Sequence, residues 1–192
     1  GFPLVRISQS ATNKVEVRTN AGDGVEFRFN DDKDIAEIKG HEHIMGLSKA
    51  VSTQSGASNE NFSGFAQRLL SSAILNSHGT LIAVVPAATD SIPELLSDVI
   101  KFETPIKLFS RFQAHIDEGR TAGSVSKIQA AAELLSGFIL SDGITILNDA
   151  GAILGYRGFI KSDDGPAQAE GGARSRAYAV MKGLVGNGLT AA

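Results

Sequence analysis

The sequence predicts an α/β protein: a mixed central β-sheet flanked by helices, preceded by an amino-terminal β-hairpin region that is either a subdomain or a sheet extension. Three observations carry this. From residue 59 onward, apolar residues at helical spacing alternate with short apolar runs of strand length, the pattern of helices laid on a sheet. Residues 80–86 are continuously apolar after Thr80, as in a strand buried on both faces. Residues 14–29 alternate between apolar and charged side chains, the signature of a two-faced ribbon.

In order along the chain, residues 4–7 are a short strand candidate. Val15, Val17, Val25, Phe27 and Phe29 alternate with Glu16, Arg18, Glu26 and Arg28 around a turn at residues 20–24. Residues 31–39 and 42–51 are weakly patterned, and the Ser, Gly and Asn-rich run 52–61 reads as a linker. This sets a boundary between a hairpin region, 1–57, and a main domain, 58–192. Phe62, Phe65, Ala66, Leu69, Leu70, Ala73 and Ile74 place one buried face on a helix that stops near His78 and Gly79.

Ser91, Ile92, Pro93 and Glu94 resemble a helix start, so 93–102 is expected to be a short helix. Residues 109–116 fit strand or helix. Residues 124–137 read as a helix with Ile128, Ala131, Leu134 and Leu135 on one face, and 138–140 lead into Asp142. Ile144, Ile146 and Leu147, then a turn at 148–151, then residues 152–160 form a hairpin. Residues 173–184 are the last helix, and Gly188 onward resembles the start of another strand.

Composition narrows the function classes. At 192 residues the chain can bury a sizeable core as one domain, with or without a small appendage. With a formal net charge of −3 and balanced charged residues, a strongly basic nucleic-acid face is not indicated, so no nucleic acid partner is expected. With no cysteine, neither a disulfide framework nor a thiolate ligand or nucleophile is possible. No apolar run approaches a membrane span and no signal pattern opens the chain, so no membrane partner is expected and the composition fits a cytoplasmic protein. The lack of an initiating Met and the abrupt end suggest a trimmed chain, truncated at its carboxyl end.

The chemistry concentrates between residues 141 and 176. Asp142 opens a strand and is followed by Gly143, which presents its carboxylate at a sheet end with little steric cover. A hard cation such as Mg²⁺ takes one or two such carboxylates and completes its shell with water and phosphate oxygens. Gly165, Gly171 and Gly172 allow close approach to a ligand, and the helix behind them offers N–H groups to an anion. Arg174 and Arg176 add planar donors that match phosphate oxygens. In regular helix they would point about 200° apart. Both serve one ligand only if the helix starts between or after them; otherwise they serve different ligands or subunits.

Asp142-Gly143-Ile144, followed by Gly172-Ala173-Arg174-Ser175-Arg176-Ala177, resembles the diadenylate cyclase (DAC) domain. Its signatures are Asp-Gly-Ala and Gly-Thr-Arg-His-Arg-Ala-Ala, in that order and at similar separation. The resemblance covers roughly residue 62 to the end. It implies a DAC-like fold whose family joins two ATP into cyclic di-AMP and pyrophosphate between two chains that face each other. It further implies Asp142 as the metal and catalytic residue, with Mg²⁺ or Mn²⁺ as the cofactor. Gly143, Ile144, Gly172, Ala173, Arg174, Ser175 and Arg176 would line the adenine nucleotide.

The departures direct the expectation. Ile144 replaces a small alanine, Ser175 replaces the histidine, Ala173 replaces threonine, and the family's later Ser-Glu-Glu-Thr-Gly segment is absent from the chain. The pattern is most similar to the divergent DACNV-type branch, described as nucleotide sensors in signalling. The expectation is therefore a sensor binding ATP or a related nucleotide, with an active diadenylate cyclase, and hence a homo-oligomer, as the alternative.

Each residue also has a plainer reading. Asp142 before a glycine is a common turn residue, and arginines at a helix start are commonly solvated. Cations there oppose the helix dipole unless an anion is near, which favours an anion-binding role. An interaction module whose arginines meet an acidic partner is a third reading. His41 and His43 meet only in extended structure and lack an obvious third ligand. His78 and His115 have no Ser/Asp arrangement suggestive of a triad. Glu133 and Asp142 form a carboxylate pair only if the fold brings them together, and Asp163 and Asp164 read either as an exposed turn or, from their place before the arginines, as a carboxylate near a metal.

Overall fold

Val15 opposite Phe27 and Val17 opposite Val25 keep the apolar positions of the ribbon in register, but the ribbon has a third strand. The computed structural model describes residues 5–11, 14–19, 24–28, 34–55, 59–77, 79–89, 91–161 and 172–192. In it β1 (Val5–Ala11), β2 (Lys14–Thr19) and β3 (Gly24–Arg28) form a separate antiparallel sheet in that order. The expected turn falls, apart from Gly24, outside the described residues. The chain divides into two compact units, Gly1–Glu42 and His43–Ala192.

Helix α1 (Asp34–Val51) occupies the weakly patterned stretch. Ile44, Leu47, Ala50 and Val51 recur at helical spacing and join the core of the second unit. At the start of the run read as a linker, residues 52–55 fold back on the second unit. Ser52 and Ser55 are buried, and the Gln54 N–H donates to the Asp149 carbonyl at 2.8 Å. Their hydroxyls are satisfied by the carbonyls of Ser48, Lys49 and Ser52, so small polar residues are buried here without an unmet hydrogen bond.

The second unit continues with α2 (Asn59–Leu75), β4 (Leu81–Val85), β5 (Leu96–Ser97), β6 (Ile100–Lys107) and α3 (Leu108–Asp117). After these come α4 (Ala122–Leu140), β7 (Ile144–Asn148), β8 (Ala152–Ile160) and α5 (Ala173–Gly183). The helix expected from residue 93 is instead a turn and two strands. Leu96 pairs with Ile160 and Ser97 with Phe159, and these long-range partners override a local cap signal. Residues 109–116 lie in α3, and 138–140 complete α4.

β7 is central, parallel to β4 on one side and antiparallel to β8 on the other; β8 takes β5 and β6 along its far edge. Register shifts interrupt both the β7–β8 and the β6–β8 pairing, and the mixed sheet curls. Alternation splits the strands between two cores. Ile82, Val84, Leu147 and Ile153 face α2, α3 and α4 through Phe62, Leu70, Phe112, Leu135 and Ile139. Ala83, Val85, Ile144, Ile146 and Leu154 face the other way, with Met181 of α5. No further named strand follows α5. Instead Val84 donates its N–H to the Ala191 carbonyl at 2.8 Å and accepts from the Thr190 N–H at 2.7 Å, on the outer edge of β4. Among the described residues, no helix is long and apolar enough to cross a membrane.

Candidate functional site

The parallel pairing of β4 and β7 determines where Asp142 stands. Leu81 is level with Ile144. The same register carried backward sets Gly79 beside Asp142, at the amino ends of the two strands. The Asp142 side chain is 75% exposed there. Its Oδ1 accepts from the Gly143 N–H at 3.1 Å and from Arg174 Nη2 at 3.3 Å.

Gly143 is required by packing. Its φ is +98°, and a Cβ would stand 2.9 Å from both the carbonyl carbon and Cα of Arg157 and 3.0 Å from the Gly158 oxygen. Arg157 itself has φ +61°, so β8 turns through a left-handed residue where it passes over Gly143. The contact of backbone on backbone holds Asp142 at its place beside the sheet.

Arg174 enters from α5. Gly172 is the N-cap in extended conformation, its carbonyl accepts from the Arg176 N–H at 3.2 Å, and the helix begins at Ala173. Arg174 runs over Gly79: its Nη1 and Cδ lie 3.6 and 3.8 Å from where a Cβ on that glycine would be. Gly79 has φ +98° and belongs to the site by this contact, although residue type alone marks it only as a helix cap.

Because the helix starts before both arginines, Arg174 and Arg176 diverge by about 200° around its axis. The structure thus brings Arg174 to Asp142 and directs Arg176 to another side of α5. Ala173, Ser175 and Arg176 are exposed on that first turn. Gly172 is exposed too, and among the described residues nothing lies within 4 Å of an added Cβ. Ile144 is 2% exposed and packed in the core with Ala83 and Ile146, so its side chain fills the interior and lines no ligand space.

Among the described residues no group of three His, Cys, Asp or Glu side chains is placed to hold a metal ion. Asp142 supplies one exposed carboxylate, and a hard cation there would draw its other ligands from phosphate oxygens and water. Glu133 accepts from Gln129 Nε2 at 2.9 Å and lines a separate groove of about 650 Å³ with Phe138 and Tyr156. His41 and His43 lie exposed on α1, where residues two apart do not face each other. Asp163, Asp164, Gly165 and Gly171 fall outside the described residues, as does His78.

Two polar clusters escape a reading by sequence. At the carboxyl ends of β4 and β7, buried Asp149 accepts the Ala87 N–H on Oδ1 at 2.8 Å, and Asn148 Oδ1 accepts from the Ala150 and Ala152 N–H groups. These contacts consume the side chains in backbone bonds. Between α3 and α4, His115 Nδ1 lies 2.9 Å from Ser124 Oγ, and Thr121 caps α4. The Ser124 hydroxyl donates to the Thr121 carbonyl at 3.0 Å, which identifies it as part of the cap. The chain matches no protein-family model, no curated protein and no solved structure.

Proposed function

We propose that this chain is a DAC-like nucleotide sensor, binding ATP or a related adenine nucleotide where Asp142, Gly79, Arg174 and the start of α5 meet. The observation that supports this reading is the 3.3 Å approach of Arg174 Nη2 to Asp142 Oδ1, residues 32 positions apart in the chain. An ion pair with both partners this exposed contributes about 0–1 kcal/mol. It is therefore readily exchanged for a ligand in which phosphate takes the guanidinium and an accompanying cation takes the carboxylate. Mg²⁺ or Mn²⁺, when bound, would neutralise phosphate charge. Arg174 would grip a phosphate through its planar fork, and the amino end of α5, which has no acidic residue in its first turn, would add N–H donors.

Sensing is preferred to cyclisation on this chain's own residues. Only one of the two arginines reaches Asp142, Ser175 gives no imidazole, and Ile144 is committed to the core. Cyclisation also requires two nucleotides aligned in line between facing chains of a homo-oligomer. A cytoplasmic signalling role follows from the sensor reading.

Calorimetric titration with ATP, ADP and cyclic di-AMP, with and without Mg²⁺ or Mn²⁺, tests it. Saturable binding of an adenine nucleotide without formation of cyclic di-AMP is the expected result. Formation of cyclic di-AMP, abolished by Asp142→Asn, would assign the cyclase instead. Absence of binding to every nucleotide would overturn both.

A further inference from the structure

We propose that the groove between α3 and α4 is a second ligand site, selective for small molecules that carry a phosphate group. It encloses about 420 Å³ and shares no residue with the Asp142 site. One face of α3 supplies Ser110, Arg111, Ala114 and, just past its end, Glu118, with Lys107 at its N-cap; α4 supplies Ser124 and Lys127. The spacing of three or four residues along α3 puts its members on a single stripe.

The charge of this groove runs against that of the molecule. Lys107, Arg111 and Lys127 line it against the single carboxylate of Glu118, in a chain whose formal net charge is −3. Glu118 Oε1 lies 3.8 Å from Lys127 Nζ, so the one acid is already engaged with a cation. Arg111 is positioned: its Nη1 donates to the Lys127 carbonyl at 3.3 Å, which bridges the two helices and leaves other edges of the fork for a ligand. Lys107 stands at the amino end of α3, where no side chain caps the helix and no acidic residue occupies the first turn. A cation at that end opposes the helix dipole, and an anion in the groove would offset both.

Ser110, beside Arg111 on α3, supplies a hydroxyl, while Ser124, 2% exposed, only walls the groove, its proton being given to the Thr121 carbonyl. A planar guanidinium, two ammonium groups and a hydroxyl match the tetrahedral oxygens of phosphate, and the volume leaves room for a small organic body.

The test is titration of the intact chain at low ionic strength with inorganic phosphate, ribose 5-phosphate and ribose, followed by backbone amide NMR shifts. Saturable shifts at Lys107, Arg111 and Ser124 with either phosphate probe are expected, and none with ribose. Tighter binding of ribose 5-phosphate assigns a phosphomonoester; equal or tighter inorganic phosphate assigns the free ion. Arg111→Gln should weaken the phosphate probes at these groove amides about tenfold or more, and Lys107→Gln should weaken them to a lesser degree. The proposal is overturned if neither probe saturates, if ribose binds as well as its phosphate, if both groove variants bind like the parent, or if only Arg174→Gln removes binding.

Discussion

Arg174 reaches across 32 residues to place Nη2 3.3 Å from Asp142 Oδ1, so the acid that opens β7 and the guanidinium that opens α5 share one exposed corner of the sheet. A pair this exposed contributes little to folding. Arg174→Gln should change unfolding free energy by less than about 1 kcal/mol, because both side chains are largely in water. The same substitution should weaken ATP binding by about tenfold or more, since a charge-assisted phosphate contact is lost. Chemical denaturation beside calorimetry checks both halves; a variant that loses stability and affinity together would make the corner structural.

Gly143 and Arg157 should respond in opposite directions. Gly143→Ala forces a side chain onto a backbone at φ +98° and against Arg157 at 2.9 Å, and should cost ~2 kcal/mol or more. Arg157→Gly relieves a left-handed residue on an exposed position, and should raise stability by up to ~1 kcal/mol. Thermal and urea denaturation of the two variants separates these outcomes. A neutral Gly143→Ala would mean that β8 yields at this crossing.

Phe62 is fully buried, with ring centroids of Phe109, Phe112 and Phe65 at 5.1, 5.6 and 6.2 Å. Phe62→Ala should cost about 3–5 kcal/mol, because the cavity opens among rigid rings that cannot all collapse into it. Urea midpoints measure the loss. Phe62→Leu should recover a good part of it by refilling volume.

What could be read from residue order and what could not divide along the distance of the deciding partner. The helical stripe from Phe62 to Ile74, the buried strand after Thr80 and the hairpin after Asp142 rest on local periodicity, and they stand in the fold as α2, β4, β7 and β8. The segment after Ser91 carries a genuine cap signal, yet its conformation is decided by Phe159 and Ile160 more than sixty residues on. The run at 52–55 looks like linker because its residues are small and polar; only the fold shows that their hydroxyls close on nearby carbonyls inside the core.

The candidate site follows the same division. Asp142 and Arg174 are marked by motif, and their meeting follows from where α5 begins. Gly79 is hidden, because its part depends on an arginine arriving from a distant helix. Gly143 is visible as a glycine, but its reason is the left-handed turn of Arg157. Asp149 reads as an ordinary turn residue until Ala87, 62 positions earlier, is found donating to it.

The clasp of Thr190 and Ala191 on Val84 bears on how this molecule behaves in crowded solution. β4 borders its sheet, and an uncovered border strand recruits strands from other molecules. The clasp occupies both hydrogen-bonding groups of Val84, the fourth of the five β4 residues, and so interrupts the template. Deleting residues 190–192, which keeps the core residue Leu189, should therefore turn a self-contained sheet into an adhesive one, seen as concentration-dependent growth in light scattering before any loss of helix signal.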